Sequence, residues 1–237
     1  MAAVVAAVVF TVVSLVRLVL VLRGRSSVPL LVAHALMALV LWIMVPAFYL
    51  PVDRILGGRN YLNLLQHSFI TSVMFGALGT ALTRGGELGS DLARRIWRGP
   101  GAWAFAIGVG GVIVAFFCID APYSAMGMNP FLHQPATGWY KGFTFVYPAY
   151  VCGSLLVPTW RKAGLASSAL VRGSLRTAAV GLGLILVLTP IYFGIVIAGS
   201  GLQKVIDLVL YSAALVILLG LFGLFAHARR TSARQYR

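Results

Sequence analysis

The chain has 237 residues, of which 60% are hydrophobic and 10% charged, with a mean hydropathy of +0.93. A soluble domain carries roughly a quarter of its residues as charges, so this composition excludes an ordinary globular protein and predicts an integral membrane protein. Nineteen Lys and Arg stand against five Asp and Glu, a balance that would suggest nucleic acid in a soluble chain. Here the cations fall between apolar runs, so they report membrane topology and no nucleic-acid partner is expected.

A helix needs about 20 apolar residues to cross a hydrocarbon core of about 30 Å. Seven stretches approach that length: 2–22, 28–50, 61–82, 101–118, 143–159, 177–197 and 205–227. They lack the alternation of barrel strands, so the predicted fold is all-α, a single seven-helix transmembrane domain over 1–237. With the N-terminus outside, the cytoplasmic segments hold Arg23, Arg25, Arg84, Arg94, Arg95, Arg98, Arg161, Lys162, Arg172, Arg176, Arg229, Arg230, Arg234 and Arg237, fourteen in all. The other side holds four: Arg54, Arg59, Lys141 and Lys204. This asymmetry predicts an N-out, C-in, multi-pass protein of the cell membrane.

The first span lacks a positive segment ahead of its apolar run and reads as a retained reverse anchor. Arg17 lies about a turn and a half from its cytoplasmic end and is expected to snorkel to the headgroups. In the second cytoplasmic linker, Ser90 is placed to cap an interfacial helix over 91–97, with Leu92, Ile96 and Trp97 apolar and Arg94 and Arg95 basic. Such a segment would lie on anionic lipid; a solvated basic loop is the other reading.

The loop after the second span reads Val52-Asp53-Arg54-Ile55-Leu56-Gly57, followed by Asn60 and then Leu62 and Leu65 entering a helix. Gly57 and Gly58 suit a tight turn, and Asp53 is placed to pair with Arg54, Arg59 or another cation of the same side. This run, with the seven-span plan, resembles a family of actinobacterial seven-helix proteins described as membrane transporters. The resemblance implicates Asp53, Arg54, Gly57 and Asn60, and implies a bacterial transport function. Members of that family continue into a cytoplasmic domain after the seventh helix, whereas this sequence ends at Arg237.

Polar groups inside spans are functional candidates. Asn60, Asn63, His67 and Thr71 recur at i, i+3, i+7 and i+11 on one helical stripe. Thr144, Tyr147, Tyr150 and Ser154 form a second. Thr189 and Tyr192 flank Pro190, and Asp207 is followed one turn later by Tyr211. All fall in the outer half, where converging stripes would line a vestibule for a small-molecule ligand, with Asp207 and His67 its ionisable members. The competing reading makes the tyrosines an aromatic belt and the Asn and Thr side chains interhelical glue. The inner half is too apolar for a permanent aqueous pore. The longest outer loop, 119–142, carries three prolines and several aromatics, a lid-like composition.

No spacing supports a metal site, a bis-histidine haem or any other cofactor, and Cys118 and Cys152 are expected as free thiols. Ala198-Gly199-Ser200-Gly201 resembles the Gly-x-Ser-Gly of rhomboid proteases, but the first glycine is alanine and the only downstream histidine, His227, lies at the opposite face. With no nucleophile and base in reach of each other, an enzyme is the least favoured class. The sequence predicts a small-solute transporter, with a ligand sensor or accessory subunit of a membrane complex as the alternative. Its partners would be the bilayer, anionic lipid at the cytoplasmic face, and a protein partner or a second copy of itself.

Overall fold

The computed structural model describes residues 2–24, 26–83 and 89–198, together with Val209, Ala213, Val216, Ile217 and Gly220. The described residues are all-helical, without strands. Three segments are long and apolar enough to cross a membrane, Val4–Leu22, Asp91–Phe117 and Ala169–Ile197, and the bent pair Val28–Ile43 with Pro46–Ile55 makes a fourth if counted as one span. The chain divides into two compact units, Met1–Pro148 and Ala149–Arg237.

In the first unit, α1 (Ala2–Leu22) and α2 (Val28–Ile43) are neighbours along their lengths. Trp42 Nε1 donates to Thr11 Oγ1 at 3.0 Å, and Phe10 stacks on His34. Arg17 reaches past the end of α1 toward the loop that follows it. It is 7% exposed, and its Nη1 donates to Ser26 Oγ at 3.4 Å.

The predicted span 28–50 is broken. Val45 is extended (φ −92°, ψ 118°) and α3 (Pro46–Ile55) leaves α2 at 91°. The proline ring crowds the residue before it out of helical geometry, so a continuous apolar run gives two helices with a corner between them. Ile43, Tyr49, Leu62 and Ile70 pack as a core inside that corner.

From Tyr61 to Thr83 the chain is helical without interruption: α4 (Tyr61–Leu65), a π-helical turn (Gln66–Ile70) and α5 (Thr71–Thr83). Next come α6 (Gly89–Trp97), a helix where one was expected over 91–97 but with Ser90 inside it and not at its cap, and α7 (Pro100–Phe117). Residues 119–134 cross the end of the unit, with a 3-10 turn at Asn129–Phe131, before α8 (Pro135–Thr144).

Helix α8 replaces part of the loop expected over 119–142 and of the span expected to begin at 143. The helix starts eight residues earlier because Pro135 pre-sets the dihedral of a first helical position, and Thr137 Oγ1 donates to the Phe131 carbonyl at 2.7 Å. Nor is this stretch a free lid: Ile119, Ala125, Met128, Phe131 and Tyr140 are buried against Val112, Ala115 and Phe116 of α7. Close approach of α8 to α7 depends on Gly111, where a Cβ would lie 2.4 Å from the Phe143 ring.

The second unit holds most of α9 (Val146–Leu165) and all of α10 (Ala169–Ile197). Helix α10 exceeds its predicted 177–197 by eight residues at its start. Its small residues Ser174, Ala178 and Gly181 lie against Gly220, Ile217 and Ala213. A Cβ on Gly181 would meet the Ala213 carbonyl oxygen at 2.7 Å, and one on Gly220 the Ser174 carbonyl oxygen at 2.6 Å. The pairing runs antiparallel, with small residues setting the backbone approach.

Candidate functional site

The corner between α3 and α4 is built from the run singled out in the sequence. Helix α3 ends in a Schellman arrangement: Gly58 N donates to the Asp53 carbonyl at 2.8 Å and Gly57 N to the Arg54 carbonyl at 3.2 Å. Gly57 (φ 116°) and Gly58 (φ 69°) occupy backbone conformations that disfavour a side chain. Asp53, at 0% exposure, then turns its carboxylate onto the start of α4. Oδ2 accepts from Asn60 N at 2.9 Å and Oδ1 from Leu62 N at 2.8 Å, while Ser124 Oγ also donates to Oδ2. These donors and the positive end of the helix take the role expected of Arg54 or Arg59, whose side chains are exposed.

Asn60 has left-handed geometry (φ 63°, ψ 25°), which asparagine tolerates better than most residues. Its amide reads residues 123–125 as a neighbouring strand would. Nδ2 donates to the Tyr123 carbonyl at 2.8 Å, and Oδ1 accepts from Ala125 N at 2.7 Å and from the Tyr49 hydroxyl at 3.0 Å. Asn63, one turn on, donates through Nδ2 to the Tyr49 oxygen at 2.7 Å and to the Ala125 carbonyl at 3.2 Å. Tyr140 closes the cluster, its hydroxyl donating to the Asn63 carbonyl at 2.8 Å.

His67 follows Asn63 by one turn, in the π-helical segment. Its ring meets Tyr140 edge-on at 5.4 Å, and its buried Nδ1 has no hydrogen-bond partner among the described residues. The π turn carries a bond register one residue longer than an α-helix. The Thr71 backbone N–H and its hydroxyl, the latter at 2.9 Å, both donate to the Gln66 carbonyl. Single π turns inside α-helices recur at functional sites because they reset the angle at which side chains leave the helix.

The structure thus brings Asn60, Asn63 and His67 together with Asp53, and adds Tyr49, Ser124 and Tyr140, which sequence reasoning missed. Tyr49 carried a usable signal, standing one helical turn before Asp53. Ser124 and the 123–125 backbone carried none. Tyr147 is elsewhere: its hydroxyl donates to the Ile96 carbonyl at 3.0 Å, beside Gly76. Gly76 is thirteen residues beyond Asn63, about 20 Å along a helix. Thr144, Ser154 and Thr189 hydroxyls return to the carbonyls four residues back in their own helices. Tyr150 is half-buried and Tyr192 fully buried, both in the second unit. Asp207 and Tyr211 lie outside the described residues.

Among the described residues no group of three His, Cys, Asp or Glu could hold a metal ion. Cys118 and Cys152 are both free thiols, and His34 is committed through Nδ1 to the Leu30 carbonyl at 2.7 Å. Comparison with protein-family models, curated proteins and solved structures gave no match.

Proposed function

We propose that the chain is a seven-span cell-membrane protein, N-out and C-in, that binds a small solute beside His67 in its outer half and carries it across the bilayer. Beyond the apolar segments already described, two features support the span count. Tyr61–Thr83 is one unbroken helical run, and Ala213, Ile217 and Gly220 are helical and packed against α10. The orientation rests on the fourteen-to-four distribution of cations. A C-terminal fluorescent-protein fusion is expected to fluoresce and a C-terminal alkaline phosphatase fusion to be inactive; the reverse pattern overturns it.

The observation that carries solute binding is the unpartnered, buried Nδ1 of His67 beside a network whose amide and carboxylate groups are engaged. A buried acceptor or donor without a partner is costly, and a bound polar solute would satisfy it. Transport, as opposed to binding alone, rests on the resemblance of the Asp53–Asn60 run to the actinobacterial transporters and on prolines within helices at Pro158 and Pro190, where backbone bonds are already broken and bending is easier. A sensor or accessory subunit is the second reading, favoured by the tightly bonded 123–125 segment, which suits a fixed receptor face. Reconstitution separates the two. A transporter moves a solute that raises its melting temperature into protein-only liposomes, and a sensor binds that solute without flux.

A further inference from the structure

The nine residues of α6 divide into two faces. Asp91, Arg94, Arg95 and Arg98 recur at i, i+3, i+4 and i+7, and all four are exposed. Arg98 keeps the helical pattern, its N–H donating to the Arg94 carbonyl at 2.9 Å. On the opposite side Ile96 is fully buried and Leu92 and Ala93 half-buried.

That apolar side is fixed to the body of the first unit. The Tyr147 hydroxyl donates to the Ile96 carbonyl at 3.0 Å, and Trp97 Nε1 donates to Thr80 Oγ1 at 2.8 Å. The Trp97 ring fills space left open by Gly76, where a Cβ would lie 2.5 Å from Cη2. Gly99 (φ 56°, ψ −124°) turns the chain so that α7 starts against α6, and a Cβ on Gly101 would be 2.2 Å from the Arg95 carbonyl oxygen. The three arginines are therefore presented on a platform that is already formed, with no helix left to fold on binding.

We propose that this face binds the headgroup phosphates of anionic phospholipid. The proposal rests on the membrane reading above. Guanidinium groups match phosphate geometry with paired N–H donors, and the Asp91–Arg94 pair, 3.6 Å apart and exposed on both sides, is of the weak surface kind that a phosphate can displace. Trp97, 40% exposed, lies between Arg95 and Arg98 in sequence, and Trp103, 72% exposed, follows five residues after Arg98. Exposed indoles next to cations suit the boundary between headgroups and acyl chains, which favours lipid over a soluble acidic partner.

The test uses the full chain in neutral detergent, titrated with phosphatidylglycerol and followed by native mass spectrometry. Arg94→Gln/Arg95→Gln/Arg98→Gln is expected to weaken binding of the tightest lipid by about a hundredfold, given the worth of each basic residue near an anionic surface. Arg161→Gln/Lys162→Gln/Arg172→Gln, neutral to the same extent elsewhere, is expected to bind as wild type. A loss below about tenfold, or an equal loss in the second variant, overturns the proposal. Displacement by millimolar inorganic phosphate overturns it too, since the site would then be one for free phosphate. Arg94→Lys/Arg95→Lys/Arg98→Lys guards against misfolding: charge retention is expected to keep binding within about tenfold of wild type, and a full loss contradicts the electrostatic account. Carbonate washing of membranes tests the underlying reading separately. Release of the wild-type chain would refute membrane insertion, whereas retention with unchanged lipid binding in the glutamine variant would refute only the role of α6.

Discussion

Asn60 and Ala125 are 65 residues apart in the chain and joined by a hydrogen bond of 2.7 Å, from the Ala125 N–H to the Asn60 side-chain oxygen. The same amide holds the Tyr123 carbonyl. One side chain thereby sets the path of a connecting segment that composition alone would leave loose.

Substituting this residue separates its two roles. Asn60→Ala removes the acceptor of the Tyr49 hydroxyl proton and the partners of the Tyr123 carbonyl and the Ala125 N–H, and places a Cβ-bearing residue without a local bond at positive φ. The combined cost is expected to be about 3 kcal/mol or more. Asn60→Gly loses the same bonds but tolerates the backbone, so it is expected to melt above Asn60→Ala, by about 1 kcal/mol in stability. Thermal unfolding in detergent measures both, and equal melting would show that the left-handed geometry carries no cost.

Asp53 makes a sharper demand, because its carboxylate accepts from two backbone N–H groups and a hydroxyl while fully buried. Asp53→Asn replaces one acceptor with a donor facing donors and is expected to destabilise by about 1–3 kcal/mol. Limited proteolysis within 119–128 should speed up in parallel. Wild-type cleavage and melting would remove the carboxylate from the corner.

At the α6 end the determinant is size. Gly76→Ala would push a methyl group into the Trp97 ring and to 2.7 Å from the Tyr147 hydroxyl. The expected cost is about 1–3 kcal/mol from overpacking, with a change in tryptophan emission as Trp97 leaves Thr80. Gly110→Ala is the control, since a Cβ there meets nothing within 4 Å. Equal effects at both positions would contradict the account.

How much of this was legible depended on the kind of signal. Helix α1 and the segment at Asp91–Trp97 could be read from apolar runs and faces, because burial in lipid or at an interface writes directly into composition. The break at Val45–Pro46 was also written, in a single proline, but a hydropathy window averages over it. The start of α8 was masked because Thr137 and Tyr140 look like loop residues until their partners, the carbonyls of Phe131 and Asn63, are known. Asn60, Asn63 and His67 were legible as a stripe. What they bond to was not, since the backbone of residues 123–125 presents the same groups whatever its sequence.

The most direct test of the central claim is a thermal-shift screen of the purified chain against small polar solutes, run beside His67→Ala and Asn60→Gly. At least one solute is expected to raise the melting temperature of the wild type and of Asn60→Gly, where His67 remains, but not of His67→Ala. If no solute stabilises the wild type, or if every stabilising solute acts equally on His67→Ala, the assignment of a solute site beside His67 is contradicted.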